Sequence, residues 1–295
     1  MSEAAPRRIW LCADDYGISP GVNRAIRDLI ERRRINATSV MVVGPAIGRD
    51  EVRALNDAMT ANPECAIGLH ATLTAPFCPL TMHFRPLHGG LFLPLGKKLQ
   101  AGLLRRFDRE IIAAELTAQI AAFVALFGRV PDYVDGHQHV QLFPQVRDAF
   151  LTAVQAAAPN AWVRQCGRVR PLAQRLGKPK ALLLDVLSVQ FRARAARAGV
   201  AFNSGFAGAY DFHKQTDFAA LMGGFLEGLP DGGLVMCHPG HVDDTLISLD
   251  HFTHQREREH AFLAGDQLLS LLAASNVVLA APTADPPASA VAPPT

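Results

Sequence analysis

The sequence is poor in charged residues and has almost no excess of either sign. Asp, Glu, Lys and Arg make up 19% of the 295 residues, and 29 basic against 27 acidic side chains give a formal net charge of +2. Without a positive excess, the chain lacks the electrostatic attraction that drives non-specific binding to nucleic acids or anionic membranes. We therefore expect no nucleic-acid partner.

Cysteine is also scarce, and its spacing excludes two kinds of small stabilised domain. The chain has five cysteines, an odd number, and no two of them form a CxxC pair. We therefore expect neither a disulfide framework nor a cysteine-based zinc knuckle. The polar N-terminus lacks the apolar segment of a secretion signal, and we see no run long enough to span a bilayer. These features predict a cytoplasmic protein without a membrane span.

The chain does have a large hydrophobic fraction, 49%. Its hydrophobic residues form short strand-like runs that alternate with segments in which they recur at helical spacing. The alternation predicts about seven or eight strand–helix units, and hence a mostly parallel sheet covered by helices. The first strand–helix turn lacks the GxGxxG motif of dinucleotide-binding folds. Polar residues follow at least four strands, as in barrels whose loops converge over one mouth. The sequence therefore predicts an α/β fold, a single (β/α) barrel domain over residues 1–281.

Two segments depart from this alternation. Residues 76–107 contain prolines, two adjacent glycines and scattered aromatics, so we expect an irregular insertion with a small hairpin after the third strand. The insertion would be either a flap over the pocket or, through Phe84, Leu91 and Phe92, a contact in a homodimer. Residues 282–295 consist largely of Pro, Ala, Ser and Thr, so we expect a disordered tail.

Side chains that can carry chemistry cluster where the predicted strands end. They are Asp14 and Asp15, His70, His137 with His139, and His238. A single histidine in such a position is more often structural than functional, and paired aspartates also occur in ordinary turns. In a parallel barrel, however, all strand ends face one pocket, so these groups would meet there. One carboxylate with two imidazoles suits a divalent cation that keeps positions open for water and substrate.

Four sequence blocks carry a family resemblance. They read ADDYGISPGVN at 13–23, GLHATLT at 68–74, DGHQHVQLFP at 135–144 and CHPGH at 237–241. In this order and spacing the chain resembles the YdjC family, also called the chitooligosaccharide and hopanoid-associated deacetylase group. The first and third blocks are specific to that family, and the resemblance extends from residue 9 to about residue 270.

The resemblance implies a metal-dependent carbohydrate N-deacetylase on a distorted (β/α) barrel. Such an enzyme would remove an N-acetyl group from an amino sugar of a chitooligosaccharide-like carbohydrate or glycolipid and release acetate. Carried over residue by residue, the family pattern makes Asp15, His70 and His137 the metal ligands, Asp14 the general base and His238 the general acid. The cofactor would be a divalent ion, either Mg²⁺ or Zn²⁺.

Three further residues have two readings each. Related sequences often read His-x-His-x-His, but this chain has Gln141 at the third place, so either His137 or His139 could be the ligand. We favour His137, which would leave His139 to contact the substrate. Arg164 would bind a substrate hydroxyl or acidic group, or it would be an ordinary surface arginine. Tyr16 would give a stacking face for a sugar ring, or it would pack in the core.

Three rival functions share part of this pattern. One is a different metal-dependent hydrolase, and a second is an iron oxygenase with two histidines and one carboxylate. Such oxygenase sites usually lie in antiparallel sandwiches, whereas this chain alternates strands and helices. The third is a non-catalytic sugar-binding barrel, which would need neither Asp14 nor His238. The deacetylase is therefore the favoured function.

Overall fold

The computed structural model describes residues 5–167, 179–211 and 217–281, so the predicted tail at 282–295 lies outside it. The described strands are β1 Arg7–Tyr16, β2 Ala37–Val40, β3 Ala66–Ala71, β4 Tyr133–Gly136, β5 Trp162–Val163, β6 Phe206–Ala207, β7 Gly233–Cys237 and β8 Val277–Leu279. The described helices are α1 Pro20–Glu31, α2 Arg49–Met59, α3 Leu95–Leu103, α4 Arg109–Phe127, α5 Val146–Ala157, α6 Pro179–Arg197, α7 Phe218–Leu226, α8 Asp244–Leu249, α9 His254–Ala264 and α10 Asp266–Ala274. A short 3₁₀ segment, His137–Leu142, follows β4.

The strands form one parallel sheet in the order β5-β4-β3-β2-β1-β7-β6. The strand β8 also pairs in parallel with β1, but it contacts only the first residues of β1, Arg7 to Ile9. Farther along, β1 pairs with β2 from Cys12 onward, so β8 and β2 share one side of β1 in succession. This parallel topology confirms the α/β fold class that the alternation of strands and helices predicts.

The sheet curls into a half-barrel whose open side is bridged by a short stretch of chain. Val163 in β5 pairs with Phe202, four residues before β6, and its N–H donates to the Ala201 carbonyl at 2.8 Å. The strands β5 and β6 have two residues each, so the closure is brief. The predicted barrel is therefore present in the distorted form that the family resemblance implies.

Aromatic side chains fill the interior below the mouth. Trp10 of β1 stacks on Trp162 of β5 at 5.6 Å between ring centroids, and Tyr133 of β4 stacks on Trp162 at 4.4 Å. Since β1 and β5 are not neighbours in the sheet, these rings meet across its concave side. Gly68 in β3 makes room for them, because a Cβ there would lie 2.4 Å from the Tyr133 ring. The packed layer supports the polar residues nearer the mouth.

The insertion contributes two aromatic rings to the hydrophobic core. The Phe84 and Phe92 rings are fully buried and meet edge to face at 4.9 Å between centroids. Both rings are therefore unavailable to a partner subunit, and the predicted contact through Phe84 and Phe92 is wrong, whereas Leu91 is partly exposed. The predicted hairpin is present, as an antiparallel bridge between His88 and Leu91. Burial of apolar surface is favourable and non-directional, so an aromatic ring is stabilised equally by a core or by a subunit interface. The sequence alone therefore does not show which of the two buries Phe84 and Phe92.

A buried glutamate on α4 fastens the insertion to the barrel. The Glu115 carboxylate accepts hydrogen bonds from the Leu80 N–H at 3.0 Å, the Thr81 N–H at 2.9 Å and the Thr81 hydroxyl at 2.7 Å. Gln119, one turn farther along α4, donates to Glu115 and bonds both backbone groups of Thr72, two residues after His70. The insertion is thus tied to the end of β3.

The helix α4 is long and apolar enough to cross a membrane by length and composition, which corrects the sequence-based statement that no run is long enough. Core helices of soluble proteins pass the same test, and a third of the apolar window is buried here. The helix packs against α5 and β3. Its buried face carries the hydrogen-bonded Glu115 and Gln119. The helix is therefore only weak evidence for a membrane span.

The insertion also buries a lysine, which makes its packing testable. The Lys98 ammonium lies 5.0 to 5.4 Å from the centroids of the Phe84, Phe92 and Phe107 rings and has no hydrogen-bond partner among the described residues. Burial lowers the pKa of Lys98 to about 7, against the opposing effect of Glu115. The folded chain therefore loses this proton at a lower pH than the unfolded chain does.

We expect Lys98→Met to remove a pH-dependent contribution to stability. Because the unfolded state keeps the Lys98 proton between about pH 7 and pH 10 while the folded state does not, wild-type stability should rise over this range relative to the variant. The rise is at most about 1.4 kcal/mol per pH unit. Denaturant unfolding of both proteins at several pH values measures it, and Lys97→Met, at an exposed neighbour, is the control. Parallel pH profiles of wild type and Lys98→Met would contradict the prediction.

Candidate functional site

Two consecutive aspartates reach the same site because β1 is irregular at its end. The pairing of β1 with β2 shifts register between Ala13 and Tyr16, and Asp15 has a φ of 70°. A regular strand would point Asp14 and Asp15 to opposite faces. The irregularity re-aims Asp15, as bulges near functional sites often do. Both carboxylates are consequently buried at the mouth of the half-barrel.

Asp15, His70 and His137 form a buried cluster that fits a divalent cation. One ligand atom from each lies within 4.8 Å of the others. The Asp15 Oδ1 atom lies 2.9 Å from His137 Nδ1 and 3.3 Å from His70 Nε2. Two imidazoles and one carboxylate are a common donor set for zinc with positions left open, and the carboxylate also suits magnesium. The structure therefore brings together the three residues that the sequence pattern proposed as ligands.

The charges around this cluster are strongly perturbed. Burial alone would raise the pKa of Asp15, but Arg256 and His137 hold it well below its usual range. Burial would likewise lower the pKa of His70, but Asp135 and Asp14 raise it to about 10. These shifts favour an ion pair between Asp15 Oδ1 and His70 Nε2, which lie 3.3 Å apart. A metal ion would take the place of the imidazole proton between them.

Arg164 joins the two other carboxylates of the site. Its guanidinium contacts both Asp14 oxygens at 2.6 Å and Asp135 Oδ2 at 2.6 Å. Asp135 in turn places its Oδ1 2.6 Å from His70 Nδ1, which leaves His70 Nε2 facing Asp15. Burial raises the pKa of Asp14, but Arg164 and His70 lower it by more, so this carboxyl stays ionised. Arg164 is fully buried between carboxylates, so it is neither the predicted substrate contact nor a surface arginine.

His238 stands at the end of β7, on the same mouth. Its backbone N–H donates to Glu259 Oε2 at 2.5 Å, and its ring meets the Phe252 ring edge to face at 5.5 Å between centroids. Burial lowers the pKa of His238 to about 4, although Asp15 and Asp14 act in the opposite direction. The imidazole is therefore neutral near pH 7 in this structure.

His139 diverges from His137 because the chain leaves the strand between them. The strand β4 ends at Gly136, and Gln138 and His139 have φ values of 55° and 59° in the following 3₁₀ segment. Strand alternation therefore does not relate the two histidines. His139 Nδ1 lies 3.5 Å from Cys166 Sγ, and burial lowers the pKa of His139 to about 3. Unlike His137, His139 is not part of the cluster with Asp15.

Tyr16 packs in the core, which is the second of the two roles that the sequence allows, and it does not give a sugar-stacking face. It is fully buried, and its hydroxyl contacts Glu51 of α2 and, at 3.2 Å, Arg27 of α1. Tyr16 follows Asp14 by two residues, so a regular strand would place both side chains on the inner face. The irregular Asp15 reverses that alternation and turns the phenol toward the helices.

A family model described as YdjC-like protein matches residues 8–274 of this chain. The chain belongs to the YdjC-like family. A chitooligosaccharide deacetylase from Citrobacter koseri is 30% identical over 245 residues, covering 81% of this chain and 84% of that protein. A chitooligosaccharide deacetylase from Serratia marcescens is 28% identical over 279 residues, covering 90% and 94%. The predicted family is confirmed, and so is the prediction that the chain is a hydrolytic enzyme.

Two solved structures share the fold of this YdjC-like chain. A protein from Enterococcus faecalis, assigned to cellobiose-phosphate cleavage, superposes with a TM-score of 0.71 at 19% identity, covering 94% of this chain and 98% of that one. A lactam utilization protein from Thermus thermophilus superposes with a TM-score of 0.51 at 16% identity, covering 93% and 99%. At these identities the likeness shows the architecture alone.

Three buried residues of the site were missed from the sequence. Asp135 lies within the third motif block, DGHQHVQLFP. Its position two residues before His137 was the available signal that it belongs to the site. Arg256 Nη2 contacts Asp15 Oδ2 at 2.7 Å, and Glu259 holds the His238 backbone. Both lie in the charged run HQREREH of α9, which has the composition of a solvated helix face. Nothing in that pattern distinguishes the two buried positions from their exposed neighbours.

Replacing Arg164 should show how much the burial of Asp14 and Asp135 costs in stability when their cation is missing. We expect Arg164→Gln to lower the free energy of unfolding by about 3 to 5 kcal/mol, because Asp14 and Asp135 would lose the cation that compensates their burial. Arg194→Gln, at a partly exposed arginine paired with Asp148, should change stability by less than about 1 kcal/mol. Urea unfolding measures both. An Arg164→Gln protein as stable as Arg194→Gln would show that the ion pairs do not stabilise the site.

Proposed function

We propose that the protein is a metal-dependent hydrolase that removes the N-acetyl group from an amino sugar of a chitooligosaccharide-like carbohydrate or glycolipid and releases acetate. The observation that carries the proposal is the meeting of Asp14 and His238 with the cluster Asp15, His70 and His137 at one mouth. The two relatives named chitooligosaccharide deacetylases support the substrate class. The parallel sheet disfavours the rival iron oxygenase, whose usual scaffold is antiparallel.

Asp15, His70 and His137 would hold the cation, through one carboxylate oxygen and two imidazole nitrogens. A bound divalent ion supplies Lewis-acid chemistry: it polarises a carbonyl group and makes a water molecule more acidic. Asp135 orients His70 by contacting its Nδ1 atom, as carboxylates commonly do for metal-binding histidines. The same contact fixes the nitrogen that remains for the cation.

Asp14 is the base in this proposal, and Arg164 determines how it acts. Because both Asp14 oxygens contact the guanidinium, the carboxylate is fixed in orientation and ionised. The low pKa also makes it a weak base, so it can take a proton only from an unusually acidic water molecule. Arg164 is therefore a positioning residue, and we no longer assign it to the substrate.

His238 is the acid that completes the reaction, since the sugar amine leaves readily only when it receives a proton. The lowered pKa means that His238 enters the reaction neutral, so the proton it donates to the amine has to be the one that the attacking water first gives up to Asp14. Negative charge that develops on the acetyl oxygen during attack favours the protonated imidazole. His139, near Cys166 and Phe206, remains the candidate for a substrate contact.

Acetate release tests the proposed reaction. We expect chelator-treated protein to release no acetate from N-acetylated chitooligosaccharides, and we expect Mg²⁺ or Zn²⁺ to restore release because the cation activates both carbonyl and water. An enzymatic acetate assay with each ion added separately measures this. Activity that survives chelation, with no bound metal detected, would remove the metal from the mechanism. A metal-loaded protein inactive on every N-acetylated sugar would remove the deacetylase function.

Replacing Asp14 and replacing Asp15 should impair the enzyme in different ways. We expect Asp15→Asn to lose both bound metal and activity, because a neutral amide is a poor ligand for a divalent cation. Asp14→Asn should retain the metal and lower kcat by a factor of about 10² to 10⁴, the usual effect of removing a positioned base. Metal analysis and single-turnover acetate release separate the two effects, with Asp57→Asn, at an exposed position, as the control. A fully active Asp14→Asn protein would exclude Asp14 as the base.

A further inference from the structure

The two oxygens of the Asp15 carboxylate have separate partners. Oδ1 faces the imidazoles, at 2.9 Å from His137 Nδ1 and 3.3 Å from His70 Nε2. Oδ2 lies 2.7 Å from Arg256 Nη2. One oxygen therefore belongs to the candidate metal cluster, and the other is occupied by a cation of the protein itself.

Arg256 is held in place from several directions. Nη2 also donates to Asp250 Oδ2 at 2.7 Å, and Nε donates to the Phe252 carbonyl at 2.9 Å. The guanidinium carbon lies 5.1 Å from the centroid of the Phe252 ring, and the side chain is 1% exposed. The guanidinium is packed too closely to withdraw from Asp15 without rearrangement of the surrounding loop.

The other two carboxylates of the site, Asp14 and Asp135, also have protein cations or imidazoles against their oxygens. Both Asp14 oxygens contact Arg164, and Asp135 divides its oxygens between Arg164 and His70. Because Asp135 Oδ1 faces His70 Nδ1, Asp15 Oδ1 is the oxygen that the described contacts place beside both His70 Nε2 and His137 Nδ1. The protein's own cations thus restrict how many oxygens an ion at this site can gather.

We propose that Arg256 makes Asp15 a one-oxygen ligand and thereby determines which cations the centre accepts. The inference rests on the proposed metal centre and adds its selectivity. Ca²⁺ gathers six to eight oxygens and often takes both oxygens of one carboxylate, whereas Mg²⁺ and Zn²⁺ do well with one. With Asp15 Oδ2 blocked, the centre rejects large oxygen-seeking ions. Arg256 acts through Asp15, so it is a positioning residue.

Cation affinities of Arg256→Gln test this inference. Removing the guanidinium also removes a positive charge that repels a bound cation. Because Ca²⁺ and Mg²⁺ carry the same charge, this effect cancels in the ratio of their dissociation constants. We expect the ratio of Ca²⁺ to Mg²⁺ affinity to rise about tenfold in the variant, because the second oxygen becomes available. Calorimetric titration, with Mg²⁺ and Ca²⁺ competing against Zn²⁺, measures the ratio. Arg258→Gln, at an exposed arginine of the same helix, should leave it unchanged.

The possible outcomes separate this inference from the proposed function. If wild-type protein binds no divalent cation, both fail. If it binds cations and Arg256→Gln changes all affinities by one common factor, Arg256 contributes only charge, and the selectivity inference alone is wrong. Asp250→Asn is the second variant should Arg256→Gln not fold, because Asp250 is partly exposed and anchors the guanidinium from outside. Its Ca²⁺ to Mg²⁺ ratio should rise by a smaller factor, and an unchanged ratio would again overturn the inference.

Discussion

The contact of Arg164 with Asp14 and Asp135 is the interaction on which the rest of the site depends. Two carboxylates buried this deeply are expensive without a cation, and a single guanidinium compensates both. It also connects the ends of β1, β4 and β5 across the concave side of the sheet. Through Asp135 the same contact orients His70, so the proposed base and the candidate metal-binding cluster form one electrostatic unit.

Strand alternation arranges the interior in layers. Trp10, Cys12 and Asp14 follow one another at every second residue of β1, and they meet Trp162, Tyr133 and Arg164 respectively. The lower layer is aromatic and packs tightly, whereas the upper layer is ionic and hydrogen-bonded. The apolar floor excludes water beneath the charges, which strengthens the pairing among them. This layering explains why groups at the mouth have strongly shifted pKa values.

The sequence predicted the parallel sheet and the side chains at the strand ends because both depend on local patterns. Alternating apolar runs identify strand–helix units, and parallel strands necessarily bring their ends to one mouth. Predictions that depended on side-chain direction were less successful. Tyr16 turned outward at the irregular end of β1, and Phe84 and Phe92 entered the core instead of a subunit contact. A residue's type does not reveal which neighbours will surround it.

The amino-acid sequence by itself determined the family, the fold class and the proposed residues Asp14, Asp15, His70, His137 and His238. Only the tertiary structure decided how their charges are balanced. Arg164 and Arg256 come from distant parts of the chain and resemble solvated arginines in sequence, yet both are buried against carboxylates. Their partners are separated from them by 150 and 241 positions. Pairing over such distances arises from the three-dimensional packing of the half-barrel, which local sequence patterns do not encode.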